Sequence, residues 1–514
     1  MRKSGVISLI LIVLLLLSAG CQSQTNIQED MNLGKFIFSD LSESITGTAS
    51  VGKEGIVFDN TVRTPEAVFQ KSGFSFSLEE KGNVVFQIKN TTDLTALTFS
   101  FITEGDSEWT AFKKAELPIQ TTEQFQEFTL DLSGQYGWLG NLVGFKLSSA
   151  GITEGSIIIK SMQIQQGGAN YPEGLHIGPE EKVYDFKQRT AKGIGMAPDG
   201  IMGQWKGQDG KIMFVGSNLG KIFVSAGTAT DPFETVEYSS GLVENVDRTA
   251  IRYASISQVI QEPTTGMLIG ITHLERDLES KNYYAATLGL SVSRDNGDTW
   301  SFLGETISQQ VPLDAYQTTT RDIANGTIMI ADGYLYVYSC DLKEQNNSLA
   351  SGMSVSRVSL EELYEKTLED KLPVFHKLKD GKWEEPGWGG NFDDILPEGV
   401  APNFCYVTYN TVLKKYIMVM CQAPYYTQND GDMMLMMSDS CTDFTKSKPY
   451  YIAASTWGEQ YPTIIGMEES SQLESGSEFY IYYCKWNAKS TDGTFDWQQL
   501  WGTAEYTRRK VTLK

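Results

Sequence analysis

Gly266-Met-Leu-Ile-Gly-Ile-Thr-His273 is the stretch that decides the fold, because the same phrase returns in other letters along much of the chain. Gly210-Lys-Ile-Met-Phe-Val-Gly-Ser217 precedes it, and Gly333-Tyr-Leu-Tyr-Val-Tyr-Ser-Cys340, Lys415-Tyr-Ile-Met-Val-Met-Cys421 and Glu478-Phe-Tyr-Ile-Tyr-Tyr-Cys484 follow. Each copy is a turn residue or a charge followed by a short apolar run rich in β-branched and aromatic residues. That pattern reads as a strand leaving a hairpin and buried on both faces. The copies lie roughly 55 to 80 residues apart, longer than the repeat of common propellers, so loops must be inserted. Five copies predict a five-bladed β-propeller, whose radial blades enclose an axial pocket where side chains from different repeats converge.

Around each copy the other strands fall into place. First strands are expected near Asp199, Ser255, Asp322, Asn403 and Tyr461. Third strands are expected at Lys221–Ser225, Leu288–Ser293, Gly352–Arg357, Met433–Ser438 and Glu505–Val511. The clear helical patch is Leu360–Leu368, an insertion in blade three.

Upstream, residues 34–166 read as short alternating strands without helical periodicity, among them Phe74–Leu78, Val84–Ile88, Ala96–Phe101, Phe125–Asp131 and Ser156–Lys160. This predicts a β-sandwich. The glycine-rich linker Gln166-Gly-Gly-Ala-Asn170 then separates it from a second module spanning residues 171–514. Tyr136-Gly-Trp-Leu-Gly-Asn-Leu-Val-Gly-Phe-Lys-Leu147 resembles the closing strands of jelly-roll carbohydrate-binding modules. In such a module Trp109, Tyr136 and Trp138 form an aromatic platform for sugar rings, although Trp138 also suits the sandwich core.

The first residues carry a different message. Arg2 and Lys3 precede an apolar run from Val6 to Leu17, then Ser18-Ala19-Gly20-Cys21 and a polar continuation. The run is shorter than the roughly 20 residues that span a bilayer, so it reads as an export signal over residues 1–20. Its ending resembles the lipobox of bacterial lipoproteins, which implies lipidation of Cys21 and an extracytoplasmic protein held to the membrane by its lipid alone. Residues 21–33 are expected to be a flexible tether.

A formal net charge of -22 over 514 residues argues against nucleic acid as a partner, since such affinity rests on Lys and Arg neutralising phosphates. Five cysteines follow Cys21 without a CxxC pair, which weakens zinc and redox readings. Cys405 and Cys421 lie on two arms of an expected hairpin, within reach of a cross-strand disulfide. No glycine-rich phosphate loop, Gly-x-Ser-x-Gly elbow or His-Glu-x-x-His helix occurs, which removes nucleotide, serine-hydrolase and zinc-protease readings.

Ser293-Arg-Asp-Asn-Gly-Asp-Thr-Trp300 matches the Asp-box, Ser-x-Asp-x-Gly-x-Thr-Trp, at every specified position. Its physics is that of a hairpin turn: Asp295 caps backbone N–H groups, Gly297 takes a left-handed conformation and Trp300 packs beneath. Together with His273-Leu-Glu275, Tyr283-Tyr284, Trp383–Gly390, Tyr461-Pro462 and Arg508-Arg509, the order of segments resembles five-bladed glycosidases of the arabinanase and xylosidase type. That resemblance implies glycoside hydrolysis without a cofactor, leaving open an axial calcium, and places Asp199 like the catalytic base. The chain lacks an unambiguous copy of the arabinanase-type acid motif in blade three.

Glycoside hydrolysis needs two carboxyl groups across the scissile bond, one protonated and one ionised. Asp199 is the expected base, Glu275 or Glu459 the expected acid, and Asp322 a charge that tunes or orients them. Alternation puts His273 and Glu275 on one strand face, where they could orient a sugar hydroxyl. Arg252 and Arg321 could grip a substrate carboxylate, and Tyr253, Trp388 and Trp457 could stack on sugar. Two readings compete with hydrolysis of a polysaccharide or oligosaccharide: a glycan-binding surface lipoprotein without catalysis, and a sialidase-like retaining enzyme. The last needs an arginine cluster and a tyrosine nucleophile, and five repeats speak against it.

Overall fold

The computed structural model describes residues 27–513 apart from segments at 79–80, 105–108, 110–112, 134, 136–137, 139, 167–173, 208–209, 239–241, 280–282, 318–319, 346–347, 423–432, 454–458, 468–472 and 487–501. The expected leader, Cys21, the linker, Tyr136 and Trp457 lie outside the described residues. Among those described, no helix is long and apolar enough to cross a membrane. The chain divides into two compact units, residues 1–171 and 172–514.

The first unit is a two-sheet antiparallel sandwich. One sheet runs Thr122–Asp131, Asn83–Asn90, Ile157–Gln165, Gly55–Phe58, Ser50–Gly52, with Lys35–Ile37 added to Ile157–Gln165. The other runs Ile45–Gly47, Glu66–Gln70, Asn141–Ser148, Ala96–Thr103, Lys114–Pro118. Asn83–Asn90 shows the cause in its sequence, since Val84, Phe86 and Ile88 are buried while the residues between them are not. Phe36, Phe69, Phe74 and Phe145 meet edge to face or stacked, with centroids 4.9–5.8 Å apart. Such pairs add roughly 0.5–1.5 kcal/mol each beyond their burial. Trp138 belongs to this core rather than to a platform: it packs edge-on against Phe101 at 4.8 Å and donates its indole N–H to the Lys81 carbonyl at 2.8 Å. The tether is shorter than expected, because residues 27–32 are helical and Met31 is buried in the sandwich core.

The second unit is built from five sheets of four or five strands, antiparallel except where Glu474–Ser475 runs parallel beside Pro402–Asn410. Blade one comprises Gly203–Lys206, Ile212–Asn218, Lys221–Gly227 and Thr235–Tyr238. Blade two comprises Tyr253–Gln261, Leu268–Asp277, Tyr284–Ser293 and Ser301–Ile307. Blade three starts with Thr327–Ala331, Tyr334–Gln345 and Ser348–Ser359, then inserts the helix Leu360–Leu368 before His376–Lys379 and Lys382–Pro386. Blade four contains Pro402–Asn410, Lys415–Gln422, Met433–Ser438 and Tyr450–Ala453. In blade five Glu459–Gly466, Glu478–Lys485 and Glu505–Leu513 are completed by Leu175–Tyr184 from the start of the unit. Every repeated phrase is the second strand of its sheet, and neighbouring first strands pack against one another around a propeller. The ring closes where the Met202 N–H meets the Thr463 hydroxyl at 3.2 Å and the Tyr482 hydroxyl meets the Ala229 carbonyl at 2.7 Å.

The Asp-box turn of blade two has the expected geometry. Asp295 accepts from the Thr299 N–H at 2.9 Å, Gly297 has φ 95° and Trp300 is buried. Asn296 of the same turn accepts from the Trp205 indole of blade one at 2.9 Å, so the box also pins one blade to the next. The five described cysteines are free, and Cys405 stands opposite Met420 rather than Cys421, which removes the disulfide.

Candidate active site

Strand direction gathers the candidate residues at one end of the ring. In blade two Tyr253 opens the first strand, His273 and Glu275 lie near the end of the second, and Tyr284 opens the third. Tyr253 and Glu275 are register partners. Asp199 lies not in a strand but in the loop before Gly203, where its N–H is held by the Ser217 carbonyl at 2.8 Å. The turn residue and the site residue are therefore one.

Asp199 receives two phenolic hydroxyls, from Tyr253 at 2.8 Å and Tyr461 at 3.3 Å. Tyr253 is itself braced by the Ser217 hydroxyl at 3.0 Å. The Tyr253 ring meets His273 edge-on at 6.0 Å, and the His273 Nε2 faces a Glu275 oxygen at 3.6 Å. The other ring nitrogen of buried His273 lies 2.8 Å from the Ala324 carbonyl. Arg252 closes the group, pairing with Glu275 at 2.8 Å and Asp277 at 2.9 Å while its guanidinium covers the Tyr284 ring at 4.6 Å. The Tyr284 hydroxyl then donates to Asp322 at 2.6 Å, and Asp322 also accepts from the Ala324 N–H at 2.7 Å.

The electrostatics divide these groups. Burial, helped by the nearby charge of Glu275, pushes Asp199 up to about 6 against the opposing pull of Tyr253, Tyr461 and His273. For His273 burial would lower the value, yet Glu275, Asp322 and the Ala324 carbonyl outweigh it and raise the imidazole to about 9. It is an imidazolium at neutral pH. Burial alone would raise Glu275, but His273 and Arg252 hold its carboxyl below the ordinary range. A general acid requires the reverse, so Glu275 does not suit the acid role anticipated for it. Burial and the Asp199 charge raise Tyr253 well above the normal phenol, which keeps it a donor rather than a phenolate nucleophile.

Backbone strain marks the same place. Ten non-glycine residues have positive φ among the described ones, and six are Asn, Asp or Lys. The other four are Leu219, Tyr316, Ala324 and Tyr461. Ala324 and Tyr461 contact His273 and Asp199 directly, and Leu219 follows the strand that holds Asp199. Each such residue costs on the order of 1–3 kcal/mol and persists where surrounding structure over-determines it, a habit of functional sites.

The remaining candidates are placed elsewhere or lie beyond description. Arg321 is buried, with its guanidinium on the Pro312 and Leu313 carbonyls at 2.7 and 2.6 Å, so it does not grip a substrate carboxylate. Arg252 is committed to Glu275 and Asp277. Trp388 is exposed on the turn after Lys382–Pro386, and no described contact joins it to the Asp199 group. Glu459 begins the inner strand of blade five, but its side chain lies outside the described residues. Among the described residues no group of three or more His, Cys, Asp or Glu side chains is arranged to hold a metal ion. Tyr461, Tyr284 and Ser217 were not legible as site partners, because their contacts join segments far apart in sequence.

No protein-family profile matches the chain, and no curated protein matches it. Solved structures do resemble it. An α-L-arabinofuranosidase from Lactobacillus brevis is 12% identical over 61% of this chain and 90% of its own, with a TM-score of 0.40. An exo-β-1,3-galactanase from Clostridium thermocellum is 14% identical over 65% and 62%, with a TM-score of 0.37. An α-L-arabinanase from Penicillium chrysogenum, solved with arabinobiose, is 11% identical over 61% and 92%, with a TM-score of 0.36.

Proposed function

We propose that this chain is an exported, lipid-anchored glycoside hydrolase whose propeller cleaves glycosidic bonds of a polysaccharide or oligosaccharide at Asp199. The observation that carries the reading is one carboxyl raised to about 6 beside a carboxylate kept ionised, with two tyrosine hydroxyls aimed at the first. A proton-transfer group works best when its pKa lies near the working pH. Above its pKa, Asp199 takes a proton from the water that attacks the anomeric carbon. Glu275 and Asp322 supply negative charge that favours an oxocarbenium-like transition state, and Glu459, two residues before Tyr461, is the acid assigned to the leaving oxygen.

The fragment from Asn26 onward is to be incubated with arabinan, xylan, galactan and β-glucan, and reducing ends assayed. Release by wild type and its loss in Asp199→Asn are expected. Sugar release that survives in Asp199→Asn removes the assignment.

One observation favours a second reading, capture of glycan without cleavage: the described carboxyl nearest Asp199, Glu275, is held ionised by Arg252 and His273, so no described group beside Asp199 is set to protonate a leaving oxygen. In that case wild type and Asp199→Asn bind the same polysaccharide on an affinity gel, and neither releases reducing ends.

A further inference from the structure

Leu219 breaks a rule that two other described hairpins of the propeller keep. The hairpin joining Ile212–Asn218 to Lys221–Gly227 is a two-residue turn, since Asn218 and Lys221 are register partners. Leu219 has φ 52° and Gly220 φ 76°. A turn with both central residues left-handed calls for Asn-Gly or Asp-Gly, because a branched side chain crowds the backbone there. Two other hairpins of the propeller comply, with Asp332-Gly333 at 49° and 79° and Asp380-Gly381 at 50° and 72°. A leucine in this position is compensated when it fills a core, yet Leu219 is 52% exposed. The turn thus carries an apolar side chain that packing does not require.

Its position supplies a reason. Ser217, two residues earlier, holds the Asp199 N–H at 2.8 Å and the Tyr253 hydroxyl at 3.0 Å, and also accepts from the Gly220 N–H at 2.9 Å. A Cβ placed on Gly220 would lie 3.4 Å from the Tyr253 ring. Asn218 is fixed from the other side by the Met196 N–H at 3.0 Å and by Tyr238. The turn is therefore stapled to the residues around Asp199, on the end of the ring where those residues converge. Rules broken without a structural gain are expected at functional positions.

We propose that Leu219 is a substrate-contacting residue, an apolar platform at the rim of the Asp199 site that packs on the C–H face of a sugar ring. The inference rests on the proposed carbohydrate reading and adds to it a residue that sets affinity. Leucine offers a sugar dispersion and desolvation without a hydrogen bond, so it favours a ring presenting axial hydrogens over one presenting charged groups.

The test pairs two readouts on Leu219→Asn and Leu219→Gly, in the fragment from Asn26 onward. Both replacements suit a left-handed turn, so the thermal midpoint of the propeller is expected to rise by about 2 °C. Binding to arabinan, xylan, galactan and β-glucan, measured by affinity gel, is expected to weaken about tenfold on whichever of these wild type binds, with kcat changed far less than KM. A midpoint that does not rise shows the turn unstrained and overturns the inference. A higher midpoint with unaltered binding also overturns it, while leaving the Asp199 assignment standing. Failure of wild type to bind or cleave any of the four overturns the carbohydrate reading, and this inference with it.

Discussion

Asp199 ties function to stability with opposite signs. Its folded value of about 6 exceeds the ordinary 3.8, so the fold favours the neutral acid. Its contribution is fully present below about pH 3.8 and is lost as pH rises through 6. Asp199→Asn removes the cost of an ionised carboxyl, so at pH 8 its thermal midpoint should exceed wild type by about 2–4 °C, and near pH 3.5 the two should coincide. The same substitution should lower the hydrolytic rate about 10²–10⁴-fold; a variant both inactive and less stable at pH 8 would contradict this account. His273, raised to about 9 from 6.5, also stabilises fully below pH 6.5 and loses that contribution as pH rises through 9. The pH profile of kcat/KM should accordingly rise with a midpoint near 6 and fall near 9. Tyr253→Phe removes a hydroxyl that favours ionised Asp199, so the lower limb should move upward by about one pH unit, the worth of roughly 1.4 kcal/mol. A lower limb that stays at 6 in Tyr253→Phe, or sits there in Asp199→Asn, would assign that limb to another group.

At the scale of the element, the Asp-box separates scaffold from site. Its turn joins the third and fourth strands of blade two, whereas Tyr253, Glu275 and Tyr284 lie at the other end of the same sheet. A ten-residue strand spans roughly 33 Å, so the box is remote from the chemistry. Trp300→Ala empties a buried site and should cost about 3–5 kcal/mol, and Asp295→Ala strands the Ser293, Thr299 and backbone donors. Urea titration should show both losses, while the KM of the folded fraction stays unchanged; an altered KM would tie the box to the site. This element was legible in the sequence because its parts are neighbours in the chain, as were the second strands, whose apolar runs are buried on both faces. First strands were placed less well. The sequence places the opening of blade one near Asp199, but the strand starts at Gly203, because Asp199-Gly200 punctuates the approach rather than the strand. Asp199, Arg252, Tyr253, His273, Glu275 and Asp322 are each legible as candidates in the sequence and meet in one group, but only the pairing of His273 with Glu275 follows from local spacing. The hydroxyl of Tyr461 on Asp199 is a tertiary contact that leaves no periodicity behind, and the Pro312 and Leu313 carbonyls reach Arg321 through an irregular loop that leaves none either.

For the whole molecule, the decisive feature is that blade five is made from both ends of the second unit. Leu175–Tyr184 pairs along Glu505–Leu513, with Leu175 opposite Leu513 and Tyr184 opposite Tyr506. Without that strand the sheet would present an unpaired edge, and each buried backbone group left unsatisfied costs about 1–3 kcal/mol. Arg189 reinforces the seam from the helix Phe186–Ala191: its guanidinium donates to the Ala197 carbonyl at 2.7 Å and the Ala504 carbonyl at 2.7 Å while fully buried. The first of these carbonyls lies two residues before Asp199, so closure of the ring and placement of the site share one side chain. Arg189→Met keeps the apolar stem but leaves both carbonyls unpaired, and should lower the thermal midpoint and the hydrolytic rate together. The stronger test compares fragments beginning at residue 172 and at residue 186. The longer should melt in one cooperative transition, whereas the shorter, lacking Leu175–Tyr184, should lose that cooperativity and expose an edge that aggregates. Adding the missing strand as a separate peptide should restore the transition in proportion to its concentration, since a ligand of the folded state stabilises by mass action. Equal melting of the two fragments would show that the ring is held by its inner strands alone.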